Sequence, residues 1–542
     1  MSSQHATGLK TPPFSVARFI CEGYEQDPFK QMVVGMNEGI SYAEAYRRMV
    51  ALANCLRREH GVVEGDTVMI AAPNIVPYFT LVGAVQLVGA TVALMSPTVE
   101  RNEFAGIYDR VHPAVAIVST DAHCRLAAEC APYTHVMTVT CPVDGVPSVE
   151  RAWKGSAAWD GLAFDDDPKF ILFTSGSTGT PKAVQLRGSS FCRHAGELTR
   201  ALQVQACEVF FIPVPFAHVY GVVALHTALS HHATVATLVK YRPEQAMSLI
   251  TSVHANVYLG VSTMYLRELR ENQNGEWDLS CLRAGLVAGA TSPLAVFEEY
   301  EKRYGATLVN SYGMTETAAT LTVAELDDPL RERAASVGHP IEGAEARTAP
   351  LEATGEGLAC PYPAEPDGSW RRGELVCKTP SLADGIIGEH GMVPGAIDAE
   401  GWLHTGDVGW VDANNYVWVD GRVKDMIIRG GINIYPAEVE NTYQDHPQIA
   451  ECCLVGYPDP DLGERTCLCA IMNEGADLST FALREYAKGL IEKCKIPDLV
   501  MKMDEFPRLG NGKIDKKALG AHVRSILCPS DDAEEGPAAR EG

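Results

Sequence analysis

A short polar segment carries the first side chains that could do chemistry. It reads Phe173-Thr-Ser-Gly-Ser-Thr-Gly-Thr-Pro-Lys182 and follows the apolar run 170–173 directly. Its glycines let the backbone fold tightly, so that N–H groups can surround one anion, while the hydroxyl groups and the Lys182 ammonium add further donors. It is not a Walker loop, because Pro181 precedes the lysine and no Gly-Lys-Ser/Thr ending is present. The segment indicates a phosphate cradle, with a flexible polar linker as the alternative.

A second segment, Asn310-Ser-Tyr-Gly-Met-Thr-Glu316, begins where the predicted strand 308–310 ends. Loops at the carboxyl ends of parallel strands are common ligand sites in α/β proteins. The Tyr312 ring could stack on an adenine, and the Glu316 carboxylate is a hard oxygen ligand suited to Mg²⁺. The alternative is an ordinary turn with one packed tyrosine and one solvated glutamate.

Acidic and basic residues on glycine-containing turns form a third and a fourth group. Asp407 could accept hydrogen bonds from both hydroxyls of a ribose, and Arg422 is a candidate ribose or phosphate contact. A turn aspartate and a surface arginine are the alternatives, and Lys513 on its own is typical of an exposed charge. The four segments concerned are Gly401-Trp-Leu-His-Thr-Gly-Asp407, Asp420-Gly-Arg-Val-Lys-Asp425, Gly430-Gly-Ile-Asn-Ile-Tyr-Pro436 and Gly510-Asn-Gly-Lys513-Ile-Asp515.

The elements that must position these residues change in character along the chain. Up to about residue 423, helical and strand-like patterns alternate, which predicts parallel sheets covered by helices. From about 336 glycine and proline become dense and the strands short, so we expect a small barrel-like β part over 336–423, with a surface insertion at 351–370. From about 425 the pattern is α+β, including a predicted helix over 483–493.

The fold class predicted is α/β, with a large N-terminal domain and a small mobile C-terminal one. The N-terminal domain, 1–423, should contain two parallel-type αβ subdomains and the small β-barrel subdomain. The C-terminal domain should cover 424–527, since about 100 residues suffice for an independent α+β core. Residues 528–542 are acidic and polar, which is typical of a disordered tail.

Composition excludes several classes of function. The 542 residues carry a formal net charge of −24, which argues against a nucleic-acid or anionic-membrane partner but not against a local ATP site. The sixteen cysteines show no CxxC spacing, so we expect neither zinc nor a disulfide framework, and the thiols suit a reducing cytoplasm. The most apolar stretch, 78–95, is interrupted by Gln86 and glycines, whereas a membrane span needs about 20 apolar residues.

Taken together, the four groups resemble the signature motifs of the adenylate-forming superfamily, in the branch of the AMP-forming acyl- and aryl-CoA synthetases. The resemblance covers about residues 40–519 in the family's order. Secondary markers are Pro215-Phe-Ala-His218-Val-Tyr-Gly221, Ala288-Gly-Ala290 and Ser336-Val-Gly-His-Pro340. It implies an enzyme that activates a carboxylic acid with ATP as an acyl-AMP, releases pyrophosphate, and passes the acyl group to coenzyme A.

The resemblance also implies a role for each motif residue. The phosphate-binding set is Thr174, Ser175, Gly176, Ser177, Thr178, Gly179 and Lys182. The adenine is flanked by Gly289, Ala290 and Tyr312, Thr315 approaches the α-phosphate, and Asp407 holds the ribose beside Arg422. Mg²⁺ is bound by Glu316 and Thr174. The catalytic set is Lys513, Glu316, Thr315 and the gating His218, and Lys513 bridges the substrate carboxylate and the α-phosphate.

In this family the small domain rotates between the two half-reactions. Lys424 occupies the hinge position, and Gly430 and Gly431 fall where the family lines the pantetheine passage. The implied acid pocket is largely small or apolar, so a neutral aryl or medium aliphatic acid is expected. The pocket residues are His218, Val219, Val261, Ser262, Ala288, Gly289, Gly313, Met314 and Ala318.

Some residues depart from the family pattern. Ala183 stands where glycine is usual, Ala217 where many synthetases carry a larger residue, and Asn310-Ser311 where Gln-Gly is familiar. The segment 215–221 contains no acidic residue to pair with an amino-acid ammonium, which favours a free-standing CoA ligase over a peptide synthetase. An acyl-AMP ligase that loads a carrier protein and a non-catalytic nucleotide-binding homologue are the alternatives. We expect a monomer or homodimer.

Overall fold

The computed structural model describes most of the chain, in two units. The described residues are 3–4, 10–11, 13–99, 101–130, 134–159, 167–174, 181–289, 292–349, 372–388, 391–393, 396–429, 432–444, 446–473, 475–476, 479–488, 490–491, 493–508 and 513–527. Contacts divide the chain into a first unit (Met1–Arg347, Val376–Thr405, Val411–Val417) and a second unit (Thr348–Leu375, Gly406–Trp410, Trp418–Gly542). The predicted domain boundary at 423/424 and the disordered tail, which lies outside the described residues, stay predictions.

Strands and helices alternate through most of the first unit. Up to the predicted phosphate segment the elements are β1 (Ser3–Gln4), β2 (Lys10–Thr11), α1 (Val16–Gln26), β3 (Gln31–Val34), β4 (Gly39–Ser41), α2 (Tyr42–Arg58), β5 (Thr67–Ala71), α3 (Tyr78–Leu87), β6 (Thr91–Met95), α4 (Arg101–Val111), β7 (Val115–Val118), α5 (Asp121–Cys130), β8 (His135–Thr138), α6 (Val149–Ala152) and β9 (Lys169–Thr174).

The same alternation continues after that segment. The elements are β10 (Lys182–Arg187), α7 (Gly188–Ala201), β11 (Val209–Phe211), α8 (Val219–Leu229), β12 (Thr234–Ala236), α9 (Pro243–Val253), β13 (Val257–Gly260), α10 (Ser262–Glu271), β14 (Ala284–Ala288), α11 (Leu294–Tyr304), β15 (Thr307–Tyr312), a 3₁₀ turn (Thr315–Thr317), β16 (Thr322–Val323), α12 (Leu330–Ala335) and β17 (His339–Pro340).

The remaining elements are shorter strands followed by the α+β part. They are β18 (Glu345–Ala349), β19 (Gly373–Lys378), β20 (Gly385–Gly388), β21 (Gly391–Val393), β22 (Leu403–Val411), β23 (Val417–Arg422), a 3₁₀ turn (Val423–Asp425), β24 (Ile427–Arg429), β25 (Ile432–Ile434), α13 (Pro436–Gln444), β26 (Ile449–Asp459), β27 (Gly463–Met472), α14 (Thr480–Tyr486), a 3₁₀ turn (Lys493–Lys495), β28 (Leu499–Lys502) and α15 (Lys516–Leu527).

Two large mixed sheets form the first unit. One has the order β21-β20-β10-β9-β6-β5-β7-β8, and the other β17-β16-β15-β14-β13-β11-β12-β3-β4. Strands β9 to β8 of the first and β15 to β3 of the second are parallel. The remaining strands, β21, β20 and β10 of the first sheet and β17, β16 and β4 of the second, pair antiparallel. The predicted parallel αβ subdomains are confirmed in these central strands. Because parallel neighbours need crossover connections, their carboxyl ends bring several loops to one edge.

Apolar residues explain why these strands and helices pack as they do. Every residue of β7 and of β13 is buried, as expected for strands covered on both faces. Helices α3 and α8 are also buried along their whole length and share one core with strands of both large sheets. Within the described part of the chain, no helix has the length and apolar character needed to cross a membrane.

The expected barrel-like part is an open sheet. Its strand order is β18-β19-β22-β23, with β18 and β23 at opposite edges. A barrel requires the two edge strands to pair with each other, and within the described residues this sheet has no such closure. The expected surface insertion at 351–370 lies outside the described residues.

The α+β part of the second unit is a five-stranded sheet with a core on each face. Its order is β25-β24-β27-β26, and β28 pairs with β27 in parallel. Alternate residues of β26 face opposite cores, with Leu454 beside α13 and α14 and Val455 beside α15. A helix is present here, but the predicted bounds, 483–493, are wrong. The helix α14 begins earlier, because the Ser479 hydroxyl caps it by accepting from the Ala482 N–H, and it ends at Tyr486.

Candidate functional site

The turn after β15 has a backbone that few sequences tolerate. A Cβ atom on Gly313 would lie 1.7 Å from the Ala319 carbonyl oxygen, so only glycine fits there. Ala318 and Ala319 both have positive φ angles, 54° and 89°, which non-glycine residues rarely adopt. Strained backbone of this kind persists only where the surrounding structure holds it, which makes this turn a candidate functional element.

Glu316 sits in the 3₁₀ turn between these constrained residues. The Met314 N–H donates to the Thr317 hydroxyl (3.1 Å), which closes the turn, and the Ala383 N–H donates to the Glu316 carbonyl (2.8 Å). The Glu316 side chain is half-buried, and its carboxylate has no hydrogen bond or ion pair with any residue that the structure describes. The main chain is therefore fixed while the carboxylate oxygens remain available to a ligand.

Other predicted residues lie on the same turn or the adjacent strand. Thr315 is buried, and Tyr312 and Met314 are partly buried against a small cluster around Leu321, Cys377 and Leu403. Ala288 ends the neighbouring strand β14 and pairs in register with Ser311, while Gly289 follows it with a φ of 85°. Ala290 lies outside the described residues.

His218 has a structural role as well as its predicted one. It is the N-cap of α8, and its Nδ1 accepts from the Tyr220 N–H at 3.3 Å. Val219 is buried, and Ser262 donates its hydroxyl hydrogen bond to Ser292 at 2.9 Å. These residues begin the helices α8 and α10, next to the carboxyl ends of the second sheet. The hydroxyl of Ser262 is thus already partnered, which leaves the predicted acid pocket mainly apolar.

Two residues that hold this region were missed by sequence reasoning. Asn74, which is buried, donates to the Val214 carbonyl (2.8 Å) and accepts from the Phe216 N–H (2.9 Å), and so fixes the segment before His218. Tyr220 donates to the Leu286 carbonyl at 2.9 Å. Neither partner is near in sequence. The local signals were an asparagine directly after Pro73, just beyond β5, and the place of Tyr220 in the segment 215–221.

Thr174 and Lys182 mark the two ends of the predicted phosphate segment. They are register partners on the antiparallel strands β9 and β10, so the ends of the segment lie side by side. Thr174 is half-buried and Lys182 exposed. Arg110 donates to the Pro181 carbonyl at 2.7 Å. The residues between them, Ser175, Gly176, Ser177, Thr178 and Gly179, lie outside the described residues, as do Gly430 and Gly431.

Three predicted residues come together in the second unit. The Arg422 Nε lies 3.0 Å from the Asp407 Oδ1, and Asp407 is buried while Arg422 is half-exposed. The pKa of Lys513 is lowered by desolvation and then by the positive charge of Arg422, and the Asp407 carboxylate opposes the shift. Lys513 is exposed to solvent, which limits its desolvation. The charges of Arg422 and Asp407 are therefore the main influences on its pKa. Lys424 is exposed in the 3₁₀ turn that follows Arg422.

The predicted residues therefore form two sets, each within one unit. The first unit holds the turn with Glu316, the acid-pocket residues and the ends of the phosphate segment. The second holds Asp407, Arg422 and Lys513, which are far apart in sequence. Within the described ranges, no group of three or more His, Cys, Asp or Glu side chains could hold a metal ion by itself.

Comparison with known proteins gives the chain a family context. A family model described as AMP-binding enzyme matches residues 22–387, and one described as AMP-binding enzyme C-terminal domain matches 438–513. A feruloyl-CoA synthase from Amycolatopsis sp is 30% identical over 484 residues, 88% of this chain and 92% of that one. The putative acyl-CoA synthetase YngI of Bacillus subtilis (strain 168) is 30% identical over 64% of this chain, and the match spans 62% of that relative.

Solved structures resemble the fold along almost the whole chain. The ATP-bound MatB from Rhodopseudomonas palustris has a TM-score of 0.79 and 25% identity, covering 94% of this chain and 99% of that one. The anthranilate CoA ligase AuaEII in complex with anthranoyl-AMP has a TM-score of 0.83 at 19% identity, covering 95% and 98%. The second likeness is one of fold alone.

Proposed function

The chain belongs to the AMP-binding enzyme family, and on that premise we propose how its own residues join a carboxylic acid to coenzyme A at the expense of ATP. It is an acid–CoA ligase of the acyl- or aryl-CoA synthetase branch, as the sequence motifs indicated. The observation that carries the residue assignment is the grouping of Asp407, Arg422 and Lys513. The Asp407 carboxylate suits ribose hydroxyls, the Lys513 ammonium suits the anionic acid and α-phosphate, and the Arg422 guanidinium is ion-paired with Asp407.

In the first half-reaction, a carboxylate oxygen of the acid attacks the α-phosphorus of ATP and pyrophosphate leaves with the electrons of the broken P–O bond. Both reactants are anions, so they repel each other unless positive charge lies between them. Lys513 supplies that charge and aligns the acid with the α-phosphate. Asp407 accepts hydrogen bonds from the ribose hydroxyls, while Arg422 orients Asp407. Thr315 contacts the α-phosphate.

The Glu316 turn and the phosphate segment serve the rest of the nucleotide. Tyr312, Gly289 and Ala290 flank the adenine, and Thr174 to Gly179 with Lys182 hold the β- and γ-phosphates. Glu316, with Thr174, is proposed to hold Mg²⁺, and the Glu316 carboxylate, which has no hydrogen bond or ion pair among the described residues, fits that role. When bound, the ion supplies positive charge to the phosphate oxygens. One protein carboxylate suffices, since Mg²⁺ is usually completed by phosphate oxygens and water.

In the second half-reaction, the thiol sulfur of coenzyme A attacks the acyl carbon and AMP leaves. We propose that Lys424 is the hinge about which the C-terminal part turns between the two steps, with Gly430 and Gly431 on the thiol's path. His218 acts as the gate of the acid site. The wall of small and apolar side chains favours a neutral aryl or medium-chain aliphatic acid.

Compartment and assembly are further proposals. The free cysteines among the described residues suit a reducing compartment, which favours the cytoplasm. A monomer or homodimer is proposed, to be measured by light scattering of the purified protein.

Lys513→Ala tests the assignment of the first half-reaction. We expect acyl-AMP formation to fall by about a hundredfold to a thousandfold, because one charge that stabilises the transition state is lost. Thioester formation from supplied acyl-AMP and coenzyme A should change little. Pyrophosphate release against a panel of aryl and aliphatic acids, with and without coenzyme A, measures the first step.

The matched control is Lys517→Ala, which removes an exposed lysine of α15 four residues away. It should keep both half-reactions. Unimpaired acyl-AMP formation by Lys513→Ala would contradict the assignment. Transfer to a holo-carrier protein in preference to coenzyme A would favour the carrier-loading ligase, and no pyrophosphate release with any acid would favour the non-catalytic homologue.

A further inference from the structure

We propose that His194 is a positioning residue for the Glu316 turn, holding it from the core side through one hydrogen bond. His194 lies on α7 and is fully buried. Its Nδ1 is 2.8 Å from the carbonyl oxygen of Ala318, two residues beyond Glu316. The inference rests on the proposed role of Glu316 as the residue that holds Mg²⁺.

The turn needs support at Ala318 in particular. Ala318 and Ala319 have the left-handed backbone described above, which an alanine adopts only under constraint. The Ala319 carbonyl also packs against Gly313, so a shift of this pair would disturb the start of the turn as well as its end. A hydrogen bond to the Ala318 carbonyl fixes the peptide that joins these two residues.

The chemistry of the contact sets the tautomer of His194. A carbonyl oxygen only accepts, so Nδ1 must carry the proton and donate it. The Thr320 N–H also lies 3.3 Å from Nδ1, but a protonated nitrogen cannot accept, and the shorter contact decides the assignment. Desolvation lowers the pKa of His194 to about 4, so the ring is neutral at physiological pH and donates without adding a charge beside the turn.

The second ring nitrogen of His194, Nε2, gains nothing from its position, so packing alone would favour an apolar residue here. The Nε2 atom is buried and has no hydrogen-bond partner within the described residues. A buried unpartnered acceptor lowers stability relative to an apolar side chain of similar size. The Nδ1 bond to the turn is therefore the one polar contact of His194 with a clear purpose.

His226 provides a matched control inside the same core. It is also fully buried, its Nε2 also lacks a partner in the described part of the chain, and desolvation lowers its pKa to about 4. Its Nδ1, however, bonds to the Val222 carbonyl (2.8 Å) within its own helix α8. Replacing His226 therefore changes the core without touching the Glu316 turn.

The experiment compares His194→Leu, which removes the donor, with His194→Asn, whose side-chain amide N–H can take the place of Nδ1. Isothermal titration calorimetry gives the affinity for ATP in excess Mg²⁺ and in EDTA. The readout is the gain from Mg²⁺, which is the factor by which Mg²⁺ raises the affinity for ATP. We expect His194→Leu to lose about tenfold to a hundredfold of that gain, as with other residues that orient a metal ligand. His194→Asn should retain most of it, and His226→Leu all of it.

One further variant keeps the test decisive. If His194→Leu does not fold, His194→Gln replaces it, because the longer side chain carries its N–H past the carbonyl and should lose the gain that His194→Asn keeps. Equal losses in His194→Leu and His226→Leu, or no loss in His194→Leu, would overturn the inference.

Glu316→Gln separates this inference from the proposed function. It should abolish the gain from Mg²⁺. If it does so while His194→Leu does not, only the role of His194 fails. If Glu316→Gln keeps the full gain, the metal role of Glu316 fails, and the inference about His194 fails with it.

Discussion

The Glu316 turn of the first unit and the Asp407, Arg422 and Lys513 group of the second unit are held in place by different physics. The turn depends on backbone shape, namely a glycine that admits no side chain and two alanines in a left-handed conformation. The group depends on charge, because a guanidinium is ion-paired with a buried carboxylate and both act on the pKa of an exposed ammonium. A ligand site built on shape should fail abruptly on mutation, whereas one built on charge should respond gradually and shift with pH.

Gly313→Ala should disrupt the Glu316 turn, and we expect it to have the largest effect. The added Cβ would meet the Ala319 carbonyl at 1.7 Å, and a backbone atom cannot move aside as a flexible side chain can. We expect a loss of about 3 kcal/mol or more of stability, or a displaced turn with no measurable acyl-AMP formation. Thermal unfolding and pyrophosphate release measure the two outcomes.

The control for this change is Gly196→Ala in α7. Apart from its chain neighbours and the backbone of its own helix, no described atom lies within 4 Å of the Cβ position there, and glycine is unfavourable inside a helix. It should stabilise the protein by about 0.5–1 kcal/mol and leave activity unchanged. A Gly313→Ala protein with normal stability and activity would show that the turn is not rigid.

The charge-based region should respond by moving the pH profile. Arg422 lowers the pKa of Lys513 and Asp407 raises it, so the two substitutions should act in opposite directions. With Arg422→Gln the alkaline limit of acyl-AMP formation should move to higher pH, because the ammonium keeps its proton longer. With Asp407→Asn it should move to lower pH, and KM for ATP should rise on the order of tenfold through the lost ribose contact.

Rates of acyl-AMP formation between pH 7 and 10 provide this measurement. Both shifts should shrink at high ionic strength, because Lys513 and Arg422 are exposed to screening. Shifts in the same direction for both variants would contradict the proposed grouping.

Glu268 sharpens the comparison, because it is an ionisable group whose pKa is set by burial and by hydrogen bonds. It is fully buried in the first unit, and three phenols donate to it, from Tyr241 and Tyr258 (2.9 Å each) and from Tyr300 (2.5 Å). Desolvation raises its pKa from 4.5 to about 7, although the phenols oppose the shift. Since the folded-state pKa is above the unfolded one, its contribution to stability is complete below pH 4.5 and is lost as the pH rises through 7.

Glu268→Gln should remove this dependence, with the smallest effect of the three on acyl-AMP formation. The wild type should lose up to about 1.4 kcal/mol of stability per pH unit across the window from 4.5 to 7 relative to the variant. Melting temperatures of both proteins from pH 5 to pH 8 measure the difference. Parallel curves would show that Glu268 does not titrate in this window.

Local sequence patterns predicted those parts of the molecule whose structure is determined by residues that are neighbours in sequence. The strand before the Glu316 turn and the strand before the phosphate segment follow from short apolar runs next to polar turns. The barrel was not predictable, because the pattern of short strands does not say whether the two edge strands meet. The helix over 483–493 was misjudged because its apolar spacing did not show where the chain turns away after Tyr486.

Residues that support the site through distant contacts could not be found from sequence. His194 meets Ala318 across 124 positions, and Asn74 meets Phe216 across 142. Neither has a motif around it, and a histidine on the buried face of an amphipathic helix such as α7 is usually interpreted as part of the core. Lys513 was assigned through the family resemblance, since a lysine flanked by glycines has no distinguishing pattern of its own.

The Asn74 side chain has a consequence for how acid preference can change. A single amide joins the loop after β5, in one large sheet, to the segment after β11, in the other, directly ahead of His218. Displacing that segment would cost both hydrogen bonds inside a core, so the frame around the acid resists remodelling. New substrates are then gained by exchanging side chains on a fixed scaffold, and variants with altered selectivity should retain this asparagine.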